Sequence, residues 1–352
     1  MTDTTTEVAR LRPVYQRELA LGTDRFYEDR RPDCPWCGST RLRTRLRTTD
    51  SIQRKPGTFV VDQCRGCRHS FQNPRLSPEG LDFYYRDFYD GLGEGTWGKA
   101  FTMGTSQERY AAAARSVAPY TRPGRWLDVG TANADFCVVA KQVFPDTAFE
   151  GVDCGESVEA AARAGRIEKA HRGFLPELAG SLADRFDVVS MHHVLEHTVD
   201  PRAELAAAHT VLRPGGHLLI EVPNPESPLG RVFGKYWVPW FQPQHLHFVT
   251  RANLCRALAE QGFTVVASDT REPHVPIDVV GAVGLAVVRH MPYRDEPWLA
   301  KAPGRREALL RKAFWYASFP ALFAAHLVDR ALEPLLRRTR FSNAYRVIAR
   351  KD

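Results

Sequence analysis

The chain has 352 residues, about two domains at roughly 150 residues each, with a formal net charge of +7. It is 43% hydrophobic, 11% aromatic and 25% charged, an ordinary globular composition that excludes a disordered chain, a collagen-like chain and a disulfide miniprotein. The start MTDTTTEVARLRP has no apolar signal core, and VVGAVGLAVV (279–288) is shorter than the ~18 residues of a membrane span. A cytoplasmic location is expected.

Residues 1–30 read as a polar lead-in with some helical character. Residues 31–80 hold two CxxC pairs, Cys34/Cys37 and Cys64/Cys67, with 26 residues between them. Each CxxC turn puts two thiolates on one side of a small loop. Two such loops complete a tetrahedral four-sulfur site that prefers zinc and leaves no open position, so a structural zinc is expected. The intervening sequence alternates as short strands do. Within it Arg41, Arg43, Arg45 and Arg47 recur at period two, which on a regular strand puts four guanidinium groups on one face, against phosphate or solvent.

Residues 81–275 begin with a Tyr-rich stretch (Tyr84, Tyr85, Tyr89) and a glycine-containing loop, followed by a helix around Gln107–Ala118. The rhythm then becomes strand, turn, helix, with WLDVG, FEGVD, FDVVSM, HLLIEV and TVVASDT as strands. Alternating β and α elements predict an α/β fold, a doubly wound, mostly parallel sheet covered on both faces. Asp200-Pro201 reads as a helix start and Arg213-Pro214-Gly215-Gly216 as its stop. Residues 276–352 form a helical, apolar and basic extension, with RVIARK (346–351) as a final strand. Its last part, 301–352, carries 12 Lys/Arg against 4 Asp/Glu.

Strand, tight turn, helix at Trp126–Phe136 is the layout of a nucleotide-binding unit. A second strand ends in Asp153, whose carboxylate suits the two hydroxyls of a ribose. The G-x-G-x-x-G of dinucleotide sites is absent, and Asp128 suits a ligand with a positively charged amine.

The ordered run LDVGTANADF, GVD, FDVVSMHHVLEHTVDP, LRPGGHLLIEVPNP and QHLHFVT…LCRALAEQGF resembles class I S-adenosylmethionine-dependent methyltransferases over roughly residues 105–270. The cysteine pairs followed by FQNPRLSPEGLDFYYRDFY are similar to the amino-terminal zinc ribbon of many bacterial small-molecule methyltransferases. The resemblance implies that Asp128 and Gly130 sit beside the methionine moiety, Asp153 holds the ribose and Gly173-Phe174 lie near the adenine. Thr131, Ala132, Asn133, Phe136, Cys154 and His192 complete the expected cofactor set. Ala132 and Ala134 stand where the family has its second and third glycines. Alanine tolerates positive φ poorly, so weakened cofactor binding is part of the expectation.

The catalytic candidates are His193, then His245, then His197, because a hydroxyl acceptor benefits from a base titrating near neutrality. Hydrogen-bonded packing is the other reading of His197 and His247. His193-x-x-Glu196-His197 is similar to the Glu-x-x-Glu-His run that ubiquinone-pathway O-methyltransferases associate with a divalent metal. On a helix those positions share a face, but a second metal is not expected.

The expected activity is methyl transfer to oxygen of a small-molecule, sugar or lipid-linked acceptor. Tyr84, Tyr85 and Tyr89, with the loop Lys235–Trp240, are expected to border that acceptor. The 307–340 stretch alternates apolar and basic residues at helical spacing, which suits a membrane surface, a homodimer or a cover over the acceptor. Pro320 and Pro334 should break any single long helix there. Two alternatives remain: an RNA methyltransferase using the arginine stripe and basic tail, and a non-catalytic scaffold. Nucleic acid is the less favoured partner.

Overall fold

The computed structural model describes residues 4–86 and 106–352; Tyr89 and the glycine-containing loop after it lie outside them. Two compact units emerge, each discontinuous in sequence. The first contains residues 4–86, 228–246 and 276–334; the second contains 106–227, 247–275 and 335–352.

In the first unit, β1 (Leu42–Thr48), β2 (Phe59–Cys64) and β3 (Ser70–Gln72) form an antiparallel sheet. The arginine stripe expected on β1 is broken. A bulge between Thr44 and Leu46 leaves Arg45 without a cross-strand partner, and its guanidinium lies 5.5 Å from the centre of the Trp240 ring. Arg43 instead bonds the Gln63 side chain, with Nη2 donating to Oε1 at 2.6 Å. One extra residue changes which face the following side chains take.

The lead-in is a 17-residue helix, Thr4–Ala20. Its Tyr15 is fully buried in a cluster with Phe26, Phe59, Phe83, Tyr84 and Trp298. Tyr84 is therefore a core residue, with its hydroxyl donating to the Pro56 carbonyl at 2.5 Å, while the Tyr85 hydroxyl donates to the Gln244 carbonyl. Trp237 and Trp240 are buried as an edge-on pair 5.2 Å apart.

The extension holds helices Asp278–His290 and Arg305–Leu336. The second is a single helix of 32 residues that runs through Pro320 and Pro334, contrary to the expected break. Both prolines and the residues four positions earlier, Tyr316 and Arg330, are exposed. Water can therefore reach the carbonyls that proline leaves without a donor.

The second unit is built on a seven-stranded sheet of β4 (Arg125–Val129), β5 (Ala148–Asp153), β6 (Lys169–Arg172), β7 (Phe186–His192), β8 (Leu212–Pro223), β9 (Phe263–Asp269) and β10 (Ala344–Lys351). The spatial order is β6-β5-β4-β7-β8-β10-β9. The first five strands in that row are mutually parallel, and β10 runs antiparallel to both neighbours. The sheet is thus the doubly wound, mostly parallel one expected, and RVIARK lies inside it.

Residues of β4 and β7 alternate into two covered faces, which explains why their apolar runs are nearly unbroken. Trp126, Phe136, Phe144 and Phe149 meet in the core beneath helix Asp135–Val143, and each buried phenylalanine contributes about 1.5–3 kcal/mol. Asp200 caps helix Pro201–Val211 by accepting the N–H groups of Arg202 and Ala203 at 2.9 and 3.2 Å. That helix ends at Val211, and Arg213–Gly216 already belong to the irregular start of β8.

Candidate active site

Strand order reverses at β4, with β5 on one side and β7 on the other. In an open α/β sheet this reversal opens a crevice at the carboxyl ends of the strands. The Gly130–Ala134 turn follows β4 there, and His192-His193 lie at the end of β7.

The turn keeps a glycine-type backbone with two alanines in it. Gly130, Ala132 and Ala134 have φ of +70°, +46° and +60°. A side chain at Gly130 would place its Cβ 2.6 Å from Val194 Cγ2, so glycine is needed at that position for space as well as conformation. Thr131 is buried, and its hydroxyl donates to the Asp128 carbonyl at 2.5 Å. Asn133 is exposed.

Asp128 sits beneath the turn, 3% exposed. Its Oδ1 accepts from the Ser190 hydroxyl at 2.6 Å, and that hydroxyl accepts from Trp126 Nε1 at 2.9 Å. Its Oδ2 faces the Cys137 thiol at 3.8 Å. Burial pushes the Asp128 carboxyl up to about 6, against the charge of His192 and the Ser190 hydrogen bond.

At the end of β5 the Asp153 carboxylate accepts the N–H groups of Ala132 and Gly155 at 2.9 and 2.8 Å. The Gly173 N–H donates to the Asp153 carbonyl at 3.0 Å, so Gly173 and Phe174 follow beside this strand end. Phe174 is 57% exposed, as is fitting for an aromatic face offered to a planar ring. Cys154 is exposed. These residues fit S-adenosylmethionine: a left-handed turn open to its ligand, a carboxylate at the ribose position and a free aromatic face.

The histidines divide. The His192 ring lies 4.2 Å from Phe136 and 5.9 Å from Tyr110, and its Nδ1 donates to Glu221 at 3.1 Å. His193 has φ of +56°, a costly conformation for a residue with a side chain. Its Nε2 lies 3.1 Å from Arg109 Nη1, and its Nδ1 lies 2.9 Å from Glu196 Oε1. Arginine can only donate and an ionised carboxylate can only accept. The ring is therefore neutral, with its proton on Nδ1 and its lone pair on Nε2.

Glu196 is 2% exposed, which makes this a histidine oriented from behind by a buried carboxylate. The run Leu195–His197 is a single 3₁₀ turn, so the helical face on which His193, Glu196 and His197 would share a metal does not form. The His197 N–H donates to the Val194 carbonyl. His247 is buried and its Nε2 donates to the Val199 carbonyl at 3.3 Å. His245 belongs to the first unit, where its Nδ1 donates to the Pro239 carbonyl at 2.8 Å and its ring packs on Phe241.

Arg109, Glu221 and Arg346 were not among the expected site residues. Glu221 is fully buried, and Arg346 is 2% exposed. Burial alone would push the Glu221 carboxyl up. The hydrogen bond and charge of His192, with the charges of Arg346 and Arg109, hold it well below the usual carboxylate range. For Glu221 and Arg346 the available signal was a charge within the apolar runs LLIEV and AYRVIA.

In the first unit the four cysteine sulfurs lie within 4.8 Å of one another. Cys34–Cys67 and Cys37–Cys64 are each 3.7 Å apart, close to the ~3.8 Å edge of a sulfur tetrahedron with metal–sulfur bonds of about 2.3 Å. Burial opposes ionisation of Cys64, but the N–H groups of Cys67 and Gly66 aimed at its sulfur hold the thiol down at about 7. Burial pushes Cys67 up to about 11. The donor set fits a four-coordinate metal.

Residues 105–268 match a family described as a methyltransferase domain. The ubiquinone biosynthesis O-methyltransferase of Aeromonas salmonicida (strain A449) is 31% identical over 126 residues, covering 33% of this chain and 53% of the relative. Its counterpart from Hahella chejuensis (strain KCTC 2396) is 34% identical over 104 residues, covering 28% and 44%. The chain thus spans about half the length of these curated relatives. A crystal structure of a SAM-dependent methyltransferase from Archaeoglobus fulgidus aligns with a TM-score of 0.44 at 20% identity, covering 72% of this chain and 98% of that one. Residues 105–268 thus match a methyltransferase domain, on a doubly wound sheet with a tight turn at its switch point, and a four-cysteine cluster precedes them.

Proposed function

We propose that the protein transfers a methyl group to an oxygen of a small-molecule, sugar or lipid-linked acceptor, with His193 as the general base. The observation that carries this reading is the His193 ring, oriented through Nδ1 by buried Glu196 with its lone pair at the carboxyl edge of β7. Bound S-adenosylmethionine supplies an electrophilic methyl group on a sulfonium. Gly130, Ala132 and Asn133 would line it, Asp153 would hold the ribose, and Asp128 would supply negative charge beneath the turn. The chain's own work is placement and one proton transfer. His193 Nε2 takes the acceptor proton as Arg109 yields its hydrogen bond, and Glu196 stabilises the charged ring at Nδ1. The O-methyltransferase names of the curated relatives support oxygen as the methylated atom.

Zinc is the metal this reading assigns to Cys34, Cys37, Cys64 and Cys67, in a structural role because all four positions are taken by protein. The RNA reading loses its arginine stripe to the β1 bulge.

Helix Arg305–Leu336 supports an amphiphilic acceptor met at an anionic membrane surface. Phe314, Phe319, Phe323, Leu327, Val328 and Leu332 are all exposed on it, with Arg305, Arg306 and Lys312 toward its start and Arg330 toward its end. An apolar face with flanking cations suits an interfacial helix. Among the described residues no helix is long and apolar enough to cross a membrane.

The test is calorimetric titration with S-adenosylhomocysteine, Asp153→Ala serving as control, followed by turnover of acceptors with the His193→Ala protein. Micromolar binding lost in Asp153→Ala, with turnover lowered about 10²-fold or more in His193→Ala, is expected. Absence of cofactor binding in folded protein would favour the scaffold alternative. Unchanged turnover would remove His193 as the base.

A further inference from the structure

The first unit contains a cleft of about 480 Å³ that includes none of the proposed cofactor or base residues. Its walls come from three segments: residues 48–57, the pair Lys235-Tyr236, and the end of helix Asp278–His290 with Tyr293 beyond it. Arg54, Lys235 and Arg289 line it, as do the Thr49 and Ser51 hydroxyls.

Among the described residues the only carboxylate in the lining is Asp50, and it is turned away. Asp50 is 2% exposed, and its oxygens accept the N–H groups of Ile52, Gln53 and Lys55 at 3.0, 2.9 and 3.2 Å. Lys55 is likewise spent, with Nζ donating to the Phe83 and Arg86 carbonyls. The bonds to Asp50 shape a loop in which Arg54 has φ of +58°, a conformation unfavourable for a residue with a side chain. The Arg54 guanidinium is held 3.6 Å from the Tyr293 ring centre, with Nη1 donating to the Met291 carbonyl at 2.8 Å. Arg289 Nη1 donates to the Thr49 hydroxyl at 3.2 Å. Lys235 Nζ lies 5.3 Å from the Tyr236 ring centre.

Two pre-positioned arginines and one lysine thus surround a space large enough for a small organic ligand, with no carboxylate among the described residues of the lining facing them. Arginine forks match phosphate oxygens. We propose that this cleft binds a phosphorylated small molecule, with Arg54, Arg289 and Lys235 on its phosphate oxygens. The strain at Arg54 is then the cost of presenting that guanidinium ahead of binding.

The inference does not involve the cofactor site, and the test keeps the two apart. The full-length protein is titrated with inorganic pyrophosphate at 50 and 150 mM NaCl, alongside Arg289→Ala and Lys235→Ala, and each protein is also titrated with S-adenosylhomocysteine. Saturable pyrophosphate binding that weakens at the higher salt and falls at least tenfold in each variant is expected, with S-adenosylhomocysteine affinity unchanged. Absence of saturable binding, or binding equal in the parent and both variants, would overturn the proposal.

Discussion

Arg346 on β10 and Glu221 on β8 form a two-point ion pair inside the sheet, with Nε and Nη2 at 2.7 and 2.6 Å from Glu221 Oε1. The same glutamate holds His192 through its other oxygen, and Arg346 continues to Glu272 at 2.7 Å. One buried carboxylate therefore links the carboxyl end of β7, the middle of the sheet and the strand that follows the extension.

Replacing Arg346 by Ala leaves Glu221 buried without its main cation. Loss of about 3–5 kcal/mol is expected, read as a lower urea midpoint. Glu221 titrates lower when folded than when unfolded, so its contribution is present above the ordinary glutamate range and is lost as pH falls below it. The gap between parent and variant should accordingly narrow in acid. A gap that stayed constant from pH 7 to pH 4 would disprove the linkage.

Ala132 is exposed and held at positive φ. Ala132→Gly removes a methyl group and the strain with it, and a gain of up to about 1 kcal/mol is expected, visible as a higher Tm. The closer backbone approach should also tighten S-adenosylhomocysteine binding. Lower stability together with weaker binding would show that the methyl group packs usefully.

Glu204 is buried, with Oε2 lacking a hydrogen-bond partner, and burial, with Asp200 nearby, pushes its carboxyl up to about 7. A carboxyl raised on folding stabilises fully below its unfolded pKa and stops doing so as pH rises through the folded one. Glu204→Gln should match the parent at pH 4.5 and exceed it at pH 8, by about 3 kcal/mol at most. Thermal melts at both values check this, and equal differences at the two would exclude Glu204 as the source.

Cys64 carries a thiol held down at about 7, so Cys64→Ser should abolish stoichiometric zinc, measured by elemental analysis. The first unit should also become sensitive to protease within β1–β3. Retention of one zinc per chain in that variant would place the metal elsewhere.

The parallel strands were legible because each is a short apolar run bounded by turn residues, and the four-cysteine cluster because thiol spacing leaves few other arrangements. The helix from Asp135 and the cap at Asp200 followed from local rules that tertiary structure did not override. The β1 bulge was not legible, since RLRTRLRT alternates evenly and only pairing with β2 reveals the extra residue. The unbroken helix through Pro320 depends on solvent reaching its carbonyls, which sequence does not record. Arg109 lies on helix Ser106–Val117 among alanines and looks like any surface arginine until His193 is placed beside it. Arg346 was counted as tail charge, though it is committed to a buried partner.

The position of β10 between β8 and β9 has a consequence for how the chain is made. Ile220 pairs with Val347, and Ala267 with Ile348, so β9 joins the sheet only through a strand synthesised after the helix Arg305–Leu336. Until residues 344–351 leave the ribosome, the nascent sheet presents β8 as a bare edge and β9 has no place in it. Contacts of such large sequence separation form slowly, and an open β edge recruits other chains. Completion of the methyltransferase sheet is thus deferred to a late step of synthesis, when the extension that separates its strands is already present.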